Sequence, residues 1–161
     1  MISNATPLIC LAKINQLELL RKLFTKIIIP LDVKEELFVP GKPGQHTLQE
    51  AIEKNWITLV NPVKIIVLGL GKGETAAISL AREQNDSIIL DDAAAIKAAE
   101  ALAIPTLRTT TVLFLAVQKK ILTKKEALFF LNQLIENGYY IAPRYYALLV
   151  EKLNVKTTTN I

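Results

Sequence analysis

A chain of 161 residues, 51% hydrophobic and 21% charged, is long enough to bury one core and too apolar to remain disordered. Its 19 basic against 15 acidic side chains leave a net charge of +4, which permits a polyanionic partner without requiring one. One cysteine and one histidine exclude an internal disulfide and a zinc site of ordinary His/Cys ligation.

The mean hydropathy of +0.32 does not imply a membrane protein. The longest apolar run, Val112 to Val117, is far short of the roughly 20 residues that cross a bilayer. The N-terminal stretch lacks the basic leader and cleavage pattern of a secretory signal. A lone Cys10 fits a reducing compartment, so a cytoplasmic protein is expected.

In chain order, Met1-Ile2-Ser3 reads as a very short strand, followed by helical patterns near 6–13 and 16–23. Lys26-Ile27-Ile28-Ile29-Pro30 is a second strand, with helices near 31–38 and 47–55. Trp56-Ile57-Thr58-Leu59-Val60 is a third, leading to a helix near 73–84. Ser87-Ile88-Ile89-Leu90 and Ile104-Pro105-Thr106-Leu107 are strands on either side of a helix near 92–102. Helices near 109–119, 124–136 and 143–153 close the order. β-Branched runs bounded by turn residues carry the strand assignments, and apolar spacing near 3.6 carries the helices. Such alternation predicts an α/β fold with a parallel sheet covered on both faces. A single domain is expected over 1–155, with a flexible tail over 156–161.

Ligands of open α/β sheets gather beyond the carboxyl ends of the strands. The polar residues at those junctions are Asn4 after the first strand, Asp91 and Asp92 after the fourth, and Thr109 after the fifth. Helical phase adds more, because Glu74 shares a face with Ile78 and Ala81, and Asp92 with Ile96 and Ala99. Glu36 lies one turn beyond Val33 and beside Leu37. Acids on faces that otherwise pack inward need a partner, and a shared metal would supply one. With a single His, oxygen-loving ions such as Mg²⁺ or Mn²⁺ are the candidates.

Simpler readings stand beside these. Asn4, Asp92 and Thr109 can each be a helix N-cap, Glu74 a first-turn acid favoured by the helix dipole, and Glu36 a solvated residue. His46 follows the turn-like Pro40-Gly41-Lys42-Pro43-Gly44, a poor place for a catalytic triad. Gly69-Leu70-Gly71-Lys72-Gly73 lacks dinucleotide-loop spacing, and no nucleotide cofactor is expected. Tyr139, Tyr140, Tyr145 and Tyr146, near Arg144, could stack on RNA bases but are expected to pack the last helices on the body. Lys119, Lys120, Lys124 and Lys125 could touch phosphates but are expected to form a solvated turn, and Cys10 to be a small core residue.

Several segments, in order, resemble PIN-domain proteins of the VapC-like toxin superfamily, and an uncharacterised PIN-like branch most of all. They are Ser3-Asn4-Ala5-Thr6-Pro7-Leu8-Ile9, Ile29-Pro30 with Val33-Lys34-Glu35-Glu36-Leu37, and Leu70-Gly71-Lys72-Gly73-Glu74 with Ala77-Ile78 and Leu80-Ala81. Leu90-Asp91-Asp92 and Thr109 before Val112-Leu113 complete the series. The resemblance implies a three-layer α/β/α sandwich with a mostly parallel central sheet. It further implies a Mg²⁺- or Mn²⁺-dependent endoribonuclease, often a homodimer and often the toxin of a toxin–antitoxin pair. Carried over by position, the acidic set is Asn4, Glu36, Glu74 and Asp92, with Thr109 in support and Asp91 able to exchange roles with Asp92. Three features depart from the pattern. Asn4 stands where the first Asp is usual, Ala93 and Ala94 follow the Asp pair where a basic residue is usual, and Arg108 stands where a glycine precedes Thr109. An uncharged Asn4 lowers the negative charge available to a cation, so the alternative expectation is a weakened or inactive module that binds RNA or protein.

Overall fold

The computed structural model describes residues 1–154; the tail expected at 156–161 lies outside the described residues. Five short strands form the sheet: β1 (Ile2–Ser3), β2 (Ile27–Ile29), β3 (Ile57–Leu59), β4 (Ile88–Ile89) and β5 (Thr106–Leu107). Their order is β3-β2-β1-β4-β5, and all four pairings are parallel. Parallel neighbours cannot be joined by a tight turn, and the helical patterns of the sequence supply the crossovers. These are α1 (Ala5–Lys13) and α2 (Glu18–Phe24), α3 (Leu31–Leu37) and α4 (Gln45–Glu53), α5 (Lys72–Gln84), and α6 (Ala93–Ala101). After β5 come α7 (Thr109–Gln118), α8 (Lys124–Glu136) and α9 (Pro143–Asn154).

The central strands show why the architecture has three layers. Successive strand residues point to opposite faces, and in β1 and β4 both residues are fully buried. Both sheet faces are therefore covered. Ile2, Ile27, Ile29, Ile88 and Ile89 pack against the inward stripes of the helices, among them Val33 and Leu37, Ile78 and Ala81, and Ile96 and Ala99. These are the faces on which the sequence set Glu36, Glu74 and Asp92. Helix α3 packs on α5, α7 on α2 and α8, and α8 on α9.

Chain reversals use residues that tolerate a left-handed backbone. Asn15, Asn55 and Asn85 follow helices with φ of 55°, 58° and 51°, and asparagine enters this region more readily than most residues. Gly44, with φ of 78°, opens α4 two residues earlier than the apolar spacing suggests. Its lack of a side chain matters, because a β-carbon there would come within 2.5 Å of the Ala12 β-carbon. Thr25 is the costly case. Its φ of 66° and ψ of −46°, with Lys26 N–H donating to the Phe24 carbonyl at 2.6 Å, make a tight γ-turn, a strained geometry for a β-branched residue.

Candidate active site

Strand register brings the candidate residues to one edge. Ser3 pairs with Ile89, and Ile89 with Leu107. Asn4, Asp91 and Asp92, and Thr109 therefore emerge from three adjacent strands at the same carboxyl end. Asn4 N–H donates to the Ile89 carbonyl at 3.2 Å, continuing the β1–β4 ladder to the point where α1 begins. Glu36 and Glu74 arrive from α3 and α5, which pack on each other.

The two glutamates meet at the N-terminus of α5. Glu36 Oε1 accepts from Gly73 N–H at 3.2 Å, and Glu74 Oε2 accepts from Gly71 N–H at 3.3 Å. Each satisfies one of the donors that a helix start leaves open. Gly73 is required for the first of these approaches: a β-carbon there would fall within 3.0 Å of all three carboxyl atoms of Glu36. Sequence reasoning missed that role, although the glycine was in view beside Glu74.

Asp91 and Asp92 differ sharply. Asp92 is exposed and caps α6, its Oδ1 accepting from Ala95 N–H at 2.8 Å. Asp91 is half-buried and held by three donors: Thr109 N–H at 3.0 Å and Tyr139 hydroxyl at 2.7 Å on Oδ1, and Thr109 hydroxyl at 2.6 Å on Oδ2. Thr109 is fully buried, and its hydroxyl proton is committed to Asp91. The N-cap reading of Asp92 is thus correct as far as it goes, whereas Thr109 is the first residue of α7 and anchors a carboxylate.

Asn4 does not behave as a cap. It occupies the position before α1 yet makes no capping hydrogen bond. It is 4% exposed, and its Oδ1 is the buried side-chain polar atom left without a partner among the described residues. Such an orphan is costly and calls for a water, an ion or a ligand. Nearby, burial raises the Glu74 carboxyl above its ordinary range, and the negative charges of Asp92 and Glu36 push it further. The Gly71 N–H acts the other way. None of Glu36, Glu74, Asp91 or Asp92 forms an ion pair among the described residues.

The donor set is therefore all oxygen, rich in negative charge and short of cations, which suits a hard divalent ion. As placed, no three His, Cys, Asp or Glu side chains among the described residues form a group able to hold a metal. Glu36 and Glu74 are turned onto helix N–H groups instead. Glu74, Asp92 and the Asn4 amide oxygen, with Glu36, are the oxygen donors that would hold such an ion. On donor chemistry the residues fit the ion.

A cleft of about 920 Å³ opens on Glu74, Asp91 and Asp92 and is lined as well by the α8–α9 junction and α9; Asn4 and Glu36 do not line it. The tyrosines divide there. Tyr139 is buried and Tyr146 donates to Asn132 at 3.0 Å, so both pack the last helices as expected. Tyr140 and Tyr145 instead stand exposed on the cleft wall, against that expectation. Cys10 is half-buried, packed against the core on one side and lining the same cleft on the other. Burial, with a smaller push from Asp91, raises its thiol to about 11. Arg108, exposed, lines the cleft beside the acids, while Lys119, Lys120 and Lys125 lie away from it. His46 is exposed on α4 near Glu50 and takes no part.

A parallel α/β sheet with acids gathered at its carboxyl edge defines a class, and the sequence as a whole agrees. The chain belongs to the PIN-domain family, a superfamily of nucleases: the family model described as PIN domain (DUF3368) matches residues 1–155. Among solved structures, a PilT N-terminus domain protein of the hyperthermophilic archaeon Sulfolobus solfataricus P2 is similar, with a TM-score of 0.53 and 19% sequence identity. The likeness covers 70% of this chain and 90% of that one, and at this identity it speaks to the fold. No curated protein matches the chain. Among the described residues, no helix is long and apolar enough to cross a membrane.

Proposed function

We propose that this PIN-domain protein is a Mg²⁺- or Mn²⁺-dependent endoribonuclease that cuts RNA at the carboxyl edge of the sheet. The observation that carries the reading is the orphaned, buried Asn4 Oδ1 at the strand edge from which Asp91 and Asp92, which form no ion pair among the described residues, also emerge. Bound there, the ion would neutralise charge on the scissile phosphate and lower the pKa of an attacking water. Glu74 and Asp92 supply the negative charge that draws it in, Asn4 a neutral oxygen, and Glu36 a further carboxylate. Asp91, pinned by Thr109 and Tyr139, fixes the strand end from which Asp92 projects. The family resemblance extends the proposal to a cytoplasmic toxin, restrained by an antitoxin protein and working as a homodimer.

A second reading is favoured by Asn4 itself. An amide carries no charge and accepts no proton at neutral pH, so the centre has one negative charge fewer than an aspartate would give. On that reading the protein is a module that binds RNA or protein with little turnover. Incubating purified protein with a mixed RNA pool and Mn²⁺ or Mg²⁺ separates the two, using wild type, Asp92→Ala and Asn4→Asp. Metal-dependent cutting by wild type that vanishes in Asp92→Ala supports the nuclease. Cutting by Asn4→Asp alone supports the weakened module. If no variant cuts, the nuclease reading fails. A small open reading frame directly upstream would support the toxin assignment.

A further inference from the structure

We propose that Tyr140 and Tyr145 form a base-stacking subsite for single-stranded nucleic acid in the cleft that the acids also line, with Arg108 meeting the backbone phosphates. The proposal rests on the nuclease reading for where the strand leads, but its evidence is separate. Four tyrosines sit within eight residues of one another around the α8–α9 junction. The fold uses two of them. Tyr139 is buried on Asp91 and Tyr146 is tied to Asn132. The other two are left in water, Tyr140 at 84% and Tyr145 at 62% exposed, and both line the cleft. No hydrogen bond holds either hydroxyl among the described residues, so nothing internal to the fold explains two large rings on one concave wall.

Their surroundings select the ligand. Ile141 and Leu148 add apolar surface beside the rings, as a stacked base needs. Arg108 has no ion pair among the described residues and lines the same cleft, its charge acting on the neighbouring Tyr139 phenol. Lys152, held over the Phe114 ring at 5.6 Å, lines it from α9. Carboxylates alone would repel a polyanion, and these two cations offset that repulsion along the approach. At about 920 Å³ the cleft lies at the top of the range of about 300–1,000 Å³ for pockets that enclose small organic molecules. It therefore has room for a few unpaired nucleotides. A duplex keeps its bases stacked inside and offers no free face to the tyrosines. The wall thus selects single strands.

Fluorescence anisotropy tests this directly, with labelled oligouridylate or oligodeoxythymidylate of about 12 nucleotides and EDTA present to prevent metal-dependent cutting. The expected result is tight binding of one or both single strands and at least about tenfold weaker binding of a duplex of equal length. Tyr140→Ala and Tyr145→Ala should each weaken single-strand binding by about fivefold or more, while Tyr145→Phe keeps wild-type affinity because the ring remains. Arg108→Ala should reduce the slope of log affinity against log salt by about 0.7, the share of one phosphate contact on a single strand. The uridine and thymidine arms report whether the sugar matters. Equal affinity of wild type and both alanine variants overturns the subsite, as does duplex binding equal to single-strand binding, or no binding of either oligonucleotide. A cleft that takes up a protein segment in place of an oligonucleotide gives that last result. Tyrosine-dependent binding without cleavage defeats only the nuclease reading, and cleavage unchanged in both alanine variants defeats only the subsite.

Discussion

Tyr139 donates its hydroxyl to Asp91 at 2.7 Å, across 48 residues of sequence. The bond joins the α8–α9 junction to the end of β4, and burial together with the Asp91 charge raises the phenol above its ordinary range. Asp91 is thereby held from two sides, by Thr109 at the start of α7 and by a tyrosine beyond α8.

Removing that hydroxyl should be felt. Tyr139→Phe is expected to cost about 1.5 kcal/mol of unfolding free energy, the lower end for a hydrogen bond to a charged acceptor. Asp91→Asn removes the charge from the same bond. A double-mutant cycle by urea denaturation should therefore return a coupling of about 1 kcal/mol or more. Strict additivity of the two changes would show that the bond contributes nothing.

Gly73→Ala separates stability from site geometry. Alanine gains about 1 kcal/mol of helix propensity over glycine, while the Glu36–Gly73 hydrogen bond that it displaces is worth about the same. The melting temperature should scarcely move. The Glu36 carboxylate, however, must leave its place, so Mn²⁺ affinity should change at least severalfold by calorimetric titration. Gly71→Ala is the control, because a β-carbon there meets only Glu74 Oε2 at an ordinary 3.5 Å. Identical Mn²⁺ isotherms for wild type and both variants would remove Glu36 from the set.

Strain at Thr25 should be recoverable. Glycine enters a positive-φ turn without the penalty of about 1–2 kcal/mol that a side chain meets there, and it loses about 0.5–1 kcal/mol to its freer unfolded chain. Thr25→Gly is thus expected to stabilise the fold by roughly 0.5–1 kcal/mol. A lower denaturation midpoint in the variant would show that the turn is not strained.

Cys10 should be a sluggish thiol. Its shift from 9.0 to about 11 leaves about a hundredth of the thiolate of an ordinary cysteine at pH 8, and the thiolate is the reacting form. Labelling by Ellman's reagent should be slower than for a free thiol by a similar factor and should reach the ordinary rate on unfolding in guanidinium. The sign for stability follows. The folded state binds the proton more tightly, so the contribution of this group is complete below pH 9 and declines as pH rises toward 11. Fast labelling of the native protein would contradict the burial.

Much of this was legible in the residues. Isoleucine-rich runs alternating with apolar helical stripes specify parallel strands and their crossovers, and the acids declared themselves by interrupting those stripes. What stayed hidden depends on long-range contact. Nothing local says that Tyr139 rather than Tyr140 turns inward, or that Gly73 must be bare to let Glu36 approach. The N-cap reading of Asn4 followed a sound local rule, yet the structure leaves its side chain off the helix N–H groups. Arg108, marked in the sequence only as an intruder where glycine is usual, lines the cleft together with the acids.

The side chains gathered at this edge come from the ends of separate strands, Asn4 after the first and Asp92 after the fourth, with the Tyr139 tether later still. During synthesis the set from Asn4 to Asp92 is not complete until β4 has emerged, and the Tyr139 tether follows only after α8. The edge of the sheet is therefore assembled stepwise and fastened last.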